Sequence, residues 1–585
     1  MKSDRISAQG IGLALLMAAQ TCHAFDTNSL ARAIRDLSTS FPARYTRGGE
    51  FLKDLGTVKT ESEFQALQRR ALLANPLLDF DRILVIRRGT KHLGLPQNWQ
   101  GDCALPRAGY TNDIAVLSIS NGVTSRLFCP SNDVFVGDVD LDFDAEKMLF
   151  TMSSGQGRWH VFEMKADGSG LRRMTPDEPK VDQYDACYLP DGGIVFNSTA
   201  AFTGVPCVGG GTAVANLFRM NADGTGIRRL CFDQEHNWCP TLLEDGRVLY
   251  TRWEYTDTPH YFTRLLFTMN PDGTGQSAFY GSNSYWPNSI FFARPIPGEA
   301  GKVIGVISGH HGAPRMGELV LFDTARGRDE AAGVVQRFPG FGEKVEPAIK
   351  DQLVADSWPK FLHPFPLSGK YFLVPGKRPF YMGKYEVMNA QYRLFDPEHD
   401  SGYISKSNKD QTTRGIPVNR DRQPVVRVTW NEAKAFCKWV SKKTGRSFTL
   451  PSTDQWEWAC RAGHGTPMWY GDEKTDFGKF ANLADIQLTH LLVRDSPKWL
   501  PVIHSVDDGA TVTTEVGSYQ PNPWGLYDMH GNAAEWTSSV DPKGKKICRG
   551  GSFYDRPYRA TATASRAYLP YQPVFDVGFR VIMTE

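Results

Sequence analysis

Three near-copies of one short segment constrain this chain more than any other feature. Phe162-Glu-Met-Lys-Ala-Asp-Gly-Ser-Gly-Leu171 returns as Phe218-Arg-Met-Asn-Ala-Asp-Gly-Thr-Gly-Ile227 and again as Phe267-Thr-Met-Asn-Pro-Asp-Gly-Thr-Gly-Gln276. Met164, Met220 and Met269 stand 56 and 49 residues apart. Between the copies, Leu189-Pro-Asp-Gly192 leads into Ile194-Val-Phe, and Leu243-Glu-Asp-Gly246 leads into Val248-Leu-Tyr. Asp-Gly between alternating apolar residues marks a hairpin, because the turn needs a positive φ that glycine adopts without strain. A repeat of about 50 residues with two such turns holds about four strands, the content of one propeller blade. Asp138–Phe143, Glu318–Phe322 and Lys370–Val374 supply further strands. Residues 77–375 therefore read as a β-propeller with room for six or seven blades. A β-sandwich is the alternative, but it would not require the repeat.

Composition narrows the classes further. The 585 residues carry 66 Lys+Arg against 64 Asp+Glu, a formal charge of only +2, which leaves no electrostatic footprint for nucleic acid. With 41% hydrophobic and 12% aromatic residues the chain is too apolar for disorder. It also lacks an apolar stretch long enough to suggest a transmembrane segment in the mature chain. Lys2 and Arg5 precede an apolar run from Ile11 to Ala19, followed by Cys22-His23-Ala24. That pattern reads as a secretory signal peptide over 1–24, and it places the protein in a periplasm or outside the cell. Residues 25–76 form a lead-in, with helical spacing from Glu61 to Ala74. Of the ten cysteines, nine lie beyond the signal, an odd number. None falls in a C-x-x-C or C-x-x-C-H arrangement, so neither a zinc ribbon nor covalently held haem is expected.

The Asp-Gly turns do not read as calcium loops, since the alternating ligands and distal Glu of an EF-hand are missing. Gly309-His310-His311-Gly312 is a sharper candidate for a metal or haem, with His236 and His260 elsewhere in this half. Adjacent side chains on a strand point to opposite faces, however, and a loop pair without a metal is the simpler reading. Leu95-Pro-Gln-Asn-Trp99, Tyr250-Thr-Arg-Trp-Glu-Tyr255 and Leu362-His-Pro-Phe-Pro-Leu367 give this half a resemblance to the propeller of hydrazine synthase alpha-subunit-like proteins. The resemblance implies the fold and not haem chemistry.

From about residue 376 the grammar changes. Thr429-Trp-Asn-Glu432 is a capping box, followed by an apolar face at Ala433, Phe436, Cys437 and Val440. Ser452-Thr-Asp-Gln455 opens a second helix that ends near Arg461, with Gly463 as its stop. Several longer motifs then follow in order. They are Tyr381–Tyr392, Pro424–Trp430, Leu450–Trp458, Asn522–Asn532, Glu535-Trp536, Arg549–Ser552 and Val577–Arg580. Residues 376–585 resemble formylglycine-generating enzymes (sulfatase-modifying factors) through these motifs. The resemblance implies a compact α+β fold related to C-type lectins, so the whole chain is expected to be mainly β plus α+β.

It also implies chemistry that these residues support only in part. Enzymes of this family oxidise a sulfatase cysteine to formylglycine with oxygen and a copper ion held by two cysteines. The positions that match those cysteines are Asp555 and, near the second, Ala560, and no cysteine follows Ser552. Two soft thiolates suit copper(I); a carboxylate and an alanine do not. No catalytic residue and no copper are therefore expected, and Cys548 reads as a buried strand thiol. The family's two calcium sites carry over better. Asn482, Leu483, Asp508 and Ala510 match one; Asp528, Gly531, Ala533 and Glu535 match the other. Mixed carboxylate, amide and carbonyl oxygens suit a hard cation, although Asp528 and Glu535 can also serve as plain turn caps. Ser552, Asp555 and Arg556 match the positions that bind the family's substrate peptide, with a solvated Asp555–Arg556 pair as the alternative. Cys437 and Cys460 match structural cysteines of the family whose partners are missing here, which leaves a bridge between them open. The resulting expectation is a calcium-stabilised binding or accessory module for a peptide, sulfatase or glycan partner. The alternative is an active oxidase on the same fold.

Overall fold

The computed structural model describes residues 27–584 apart from 90–91, 155–156, 255–257, 260–261, 339, 341–343, 356, 358, 376–379, 405–414 and 492–501. The expected signal peptide lies outside the described residues, as does His260. Two compact units form, one spanning 75–376 and the other made of the residues before 75 and after 376. No helix among the described residues is long and apolar enough to cross a membrane.

The lead-in folds as three helices, Thr27–Ser40, Gly48–Leu55 and Glu61–Leu73. The third is opened by a capping box in which Thr60 accepts from the Glu63 amide and Glu63 reaches back to the Thr60 amide. Leu30, Ile34, Leu37, Phe51, Phe64 and Leu67 are all buried.

In the unit 75–376, antiparallel meanders follow one another along the chain. The first has three strands (Arg82–Arg88, Asn112–Ser118, Thr124–Phe128), and two four-stranded sheets then begin at Val136–Leu141 and Gln183–Tyr188. The next two meanders begin at Asn237–Leu242 and Ser289–Pro295, and a single parallel pairing at Arg264 and Ser289 joins them. A short hairpin, Phe365–Pro366 with Phe372–Leu373, closes the series. The first strands of successive four-stranded meanders pack against one another, as the inner strands of a propeller do. The Asp-Gly turns lie where the repeat puts them. Gly168, Gly224 and Gly273 have φ of 89°, 90° and 88°, values that only glycine holds without strain. The turns also lock neighbouring blades. Arg172 donates to the Ala222 carbonyl in the next copy of the turn (3.1 Å), and Arg228 donates to the Asp272 carbonyl in the one after (3.0 Å). Each inner strand carries a bulge at the same place, and its extra residue is left-handed: Asp138, Asp185, Cys239 and Phe292, with φ of 51° to 52°.

His310 and His311 separate as expected for a loop pair. His310 is buried beside Arg264, whereas exposed His311 turns to Asp351 at 2.9 Å.

In the C-terminal part, the helices run Trp430–Thr444 and Thr453–Arg461, each opened by the expected capping box. Ala433, Phe436, Cys437 and Val440 are buried as the pattern requires. They pack on Tyr392, Val425, Trp536 and Phe579. The main sheet orders Arg566–Tyr568, Lys546–Arg549, Ala534–Val540 and Val577–Gly578. Cys548 is buried in it, opposite Trp536 and Arg566. Cys437 and Cys460 are free thiols in separate core clusters, so the bridge between them does not form.

Candidate functional site

Two of the buried charge groups in the C-terminal part hold the residues expected to bind ligands. In the first, Glu535 enters from the strand Ala534–Val540 and is completely enclosed, as is Arg580. Arg580 Nε lies 2.8 and 2.7 Å from the two Glu535 oxygens, and Nη2 lies 2.6 Å from Oε1. Trp456, carried by the helix Thr453–Arg461, donates its indole N–H to Glu535 Oε2 at 2.6 Å. The remaining guanidinium hydrogens go to the carbonyls of Gly383 (3.1 Å) and Tyr527 (2.9 Å). One arginine thus ties together the Tyr381–Tyr392 motif, the Asn522–Asn532 motif and the Glu535-Trp536 strand.

Two more carboxylates sit beside this pair. Glu386 accepts from Asn532 Nδ2 and from the Ala533 amide, each at 2.9 Å. Burial, then the charges of Asp528 and Glu535, push Glu386 well above the usual carboxylate range. Asp528 accepts from the Gly517 amide at 2.7 Å through Oδ2, while its Oδ1 is buried without a hydrogen-bond partner. Burial raises its carboxyl to about 6. Three buried carboxylates therefore share a single guanidinium.

The segment matched to the other calcium site abuts this group. Asn482 forms a parallel bridge with Gly531, and its carbonyl accepts from the Asn532 amide at 2.9 Å. Gly531 has φ of 81°, and a Cβ there would stand 2.1 Å from the Asn482 carbonyl oxygen, so no other residue fits. Asn482 Nδ2 donates to the Val512 carbonyl (2.9 Å), which leaves its Oδ1 buried and unpartnered. Asp508 accepts from the Leu483 amide (2.8 Å) and the Ala510 amide (2.9 Å). Its carboxyl rises to about 8, first through burial and then through neighbouring Asp485.

These arrangements test the expected calcium ligands one by one. Asn482, Leu483, Asp508 and Ala510 do come together, and so do Asp528, Gly531, Ala533 and Glu535. Asn482 and Asp528 each keep one buried oxygen without a hydrogen-bond partner, a donor that suits a hard cation. Glu535 does not fit. Its carboxylate is fully engaged by Arg580 and Trp456, and breaking that pair would strand a buried guanidinium. No group of three or more His, Cys, Asp or Glu among the described residues is arranged to hold a metal. Any cation here would therefore lean on amide and carbonyl oxygens.

The second buried group is where the substrate-binding residues were expected. Ser552 Oγ donates to Asp576 Oδ2 (2.7 Å) and contacts Asp555 Oδ2 (3.1 Å), and the Ser552 amide donates to Asp555 at 3.0 Å. Arg566 Nη2 bridges Asp555 (2.7 Å) and Asp576 (3.2 Å). Asp555 is only 2% exposed. The solvated Asp555–Arg556 pair is thus replaced by an internal brace, because Arg566 on the adjoining strand supplies the nearer cation. Arg556 is half-buried. Ala560 lies in an apolar cluster with Met468, Phe477 and Leu483, and its carbonyl oxygen stands 2.6 Å from His530 Nδ1. A carboxylate already neutralised by arginine and an apolar methyl offer copper no ligand pair.

Glu386, Asn532, Arg566, Asp576 and Arg580 carry much of this geometry, and the sequence reading gave none of them a role. Glu386, Asn532 and Arg580 do sit inside the motifs that were recognised. A charged residue in an otherwise apolar run, as in Val577-Gly-Phe-Arg580, was the available signal.

Together these features define a compact α+β domain braced by buried arginine–carboxylate clusters. Comparison with known proteins places it: residues 376–585 match the sulfatase-modifying factor enzyme 1-like domain, and the C-terminal part of this chain is a domain of that type. Formylglycine-generating enzyme from Bos taurus is 26% identical over 261 residues, covering 34% of this chain and 64% of its own length. The Streptomyces coelicolor enzyme of the same name is 31% identical over 196 residues, covering 29% and 56%. Inactive C-alpha-formylglycine-generating enzyme 2 from Bos taurus is 30% identical over 166 residues, covering 27% and 49%. The chain thus spans less than two thirds of each relative. Among solved structures, Kuenenia stuttgartiensis hydrazine synthase aligns over 50% of this chain and 41% of its own, at 17% identity and a TM-score of 0.38.

Proposed function

We propose that the C-terminal domain is a binding or accessory module that recognises a peptide, sulfatase or glycan partner, is stabilised by calcium, and lacks copper-thiol oxidase activity. One observation carries this reading. At the positions where the family's copper cysteines belong stand Asp555, bound to Arg566 and Ser552, and buried Ala560. Similarity to a relative named as inactive is in keeping with it. When bound, calcium would supply a fixed positive charge that offsets the surplus carboxylates. Asn482 and Asp508 would hold one ion with carbonyls of the Leu483 and Ala510 segments, and Asp528 would hold the other with carbonyls of the Gly531 and Ala533 segments. Glu535 is reserved for Arg580.

The test is to incubate the full chain with a sulfatase-motif peptide, copper and oxygen and to follow the peptide by mass spectrometry. The expected result is no aldehyde product. Aldehyde formation would sink the non-catalytic reading and favour the oxidase alternative.

A further inference from the structure

The surface over the second buried group of the C-terminal part has an uneven charge balance. From Phe553 to Asp576 the chain carries three arginines and two aspartates, and neither lysine nor glutamate. Both aspartates face inward. Asp555 and Asp576 are 2% and 1% exposed, and Arg566 neutralises the two of them. The charge that this segment turns to solvent is therefore all positive.

Two pinned turns present it. Pro557–Arg559 is a short helical turn, and the Ala560 amide closes it by donating to the Pro557 carbonyl at 2.9 Å. Pro557 and Ala560 are buried at its ends, whereas the pair between them is not. Tyr558 is 51% exposed and the Arg559 side chain 57%. The Arg559 guanidinium stands 5.7 Å from the Tyr558 ring. Its ion pair with Asp555 is a loose 4.0 Å, made to an acid that Arg566 already holds at 2.7 Å. Phe575 is set in the same way: Val574 and Asp576 on either side are buried, while Phe575 is 38% exposed. The Tyr554 ring meets it edge-on at 5.9 Å. Asp555, Arg566 and Asp576 form one ion-paired row at 2.7 and 3.2 Å, so Arg559 and Phe575 flank the same buried core.

Arginine with tyrosine and phenylalanine, and without lysine or glutamate, is the composition of a protein-binding patch rather than of solvated surface. The rings sit on turns held from both ends, so little freedom remains to be lost on binding. The sign of the exposed charge then selects the partner. An acidic segment finds Arg559 without having to displace a close ion pair, whereas a basic segment meets only like charge.

We infer that Tyr554, Tyr558, Arg559 and Phe575 form a docking surface for an acidic segment of a protein partner that also carries apolar side chains. The inference rests on the binding-module reading above and gives that module the chemistry of its partner. Arg559 supplies the charge, and Tyr558 and Phe575 supply the apolar contact. The brace of Ser552, Asp555, Arg566 and Asp576 holds the turns and touches no ligand.

The full chain is to be probed with an array of synthetic peptides that combine Glu and Asp with Tyr, Leu and Gly. A matched array has Lys and Arg in place of the acids. Binding is expected to the acidic array alone, and it should weaken as salt is raised. For the tightest acidic peptide, fluorescence anisotropy should show Arg559→Glu and Tyr558→Ala each weakening the complex by about tenfold. Arg247→Glu, the same change of charge on a propeller turn where Arg247 pairs with Asp245, should leave it unchanged. Thermal midpoints equal to that of the wild type separate lost docking from lost folding, and where one variant shifts its midpoint the other decides. No binding to the acidic array, equal binding to the basic one, or an affinity indifferent to both substitutions would overturn the proposal. Binding of heparin but of no peptide would overturn it as well while leaving the binding-module reading in place. Aldehyde formation on the sulfatase-motif peptide is the separate result that removes that reading.

Discussion

The Arg580–Glu535 pair shows why single residues matter in a domain with so little regular structure. Both side chains are completely buried, and Arg580 spends its remaining hydrogens on carbonyls from two other motifs. Removing one partner leaves the other charged and without water. Arg580→Met is therefore expected to destabilise the C-terminal domain by about 3–5 kcal/mol, read from the urea midpoint. Pairing it with Glu535→Leu should recover much of that loss, because two apolar side chains have no desolvation penalty. Equal midpoints for the wild type and Arg580→Met would refute the role given to the pair. The sequence pointed to Glu535 but not to its partner. The two lie 45 positions apart, and no local pattern shows which buried acid an arginine will choose. The same blindness produced the calcium assignment for Glu535. A carboxylate at the right place in a motif looks alike whether a cation or a guanidinium neutralises it.

Elements were far more legible. Helix starts are chemical events of four residues, and the boxes Thr429–Glu432 and Ser452–Gln455 stand as they were read. The second box has a consequence beyond its own helix, since Thr453–Arg461 delivers Trp456 to Glu535. Ser452→Ala is expected to cost about 1 kcal/mol, and the indole should lose order with it. Trp456→Phe in the same background would show whether the cap and the indole act together, through a coupling measured by thermal unfolding. The Asp-Gly hairpins were equally plain because glycine's positive φ is a property of one residue. The bulges at Asp138, Asp185, Cys239 and Phe292 were not legible. Nothing about a cysteine or a phenylalanine announces left-handed backbone, and an aspartate only tolerates it better than most. At two of the bulges the preceding sheet meets the bulge amide: the Asp185 amide donates to Thr151 Oγ1 at 2.9 Å and the Cys239 amide to Asp185 at 2.8 Å.

At the scale of the molecule, two units of different construction share one chain. The propeller unit draws on inner-strand packing and turn-to-arginine locks, and the C-terminal part on buried charge clusters. Calcium removal should therefore affect them unequally. With chelator added to the full chain, the thermal transition of the C-terminal part is expected to fall by several degrees, consistent with a loss of a few kcal/mol of binding linkage. The propeller transition should hold. Asp528→Asn should shrink the chelator effect, and no shift in either chain would remove calcium from the account. By itself the sequence determined the repeat, the hairpins, the helix caps and the absence of cysteines after Ser552, because each is written in neighbouring residues or in a fixed motif order. Only the tertiary structure decided which buried charges pair, that Asp555 serves Arg566, and that Asn98 is held by Ser308 from another part of the chain. Those outcomes depend on which groups lose water together, and desolvation is a property of the packed molecule rather than of any segment of it.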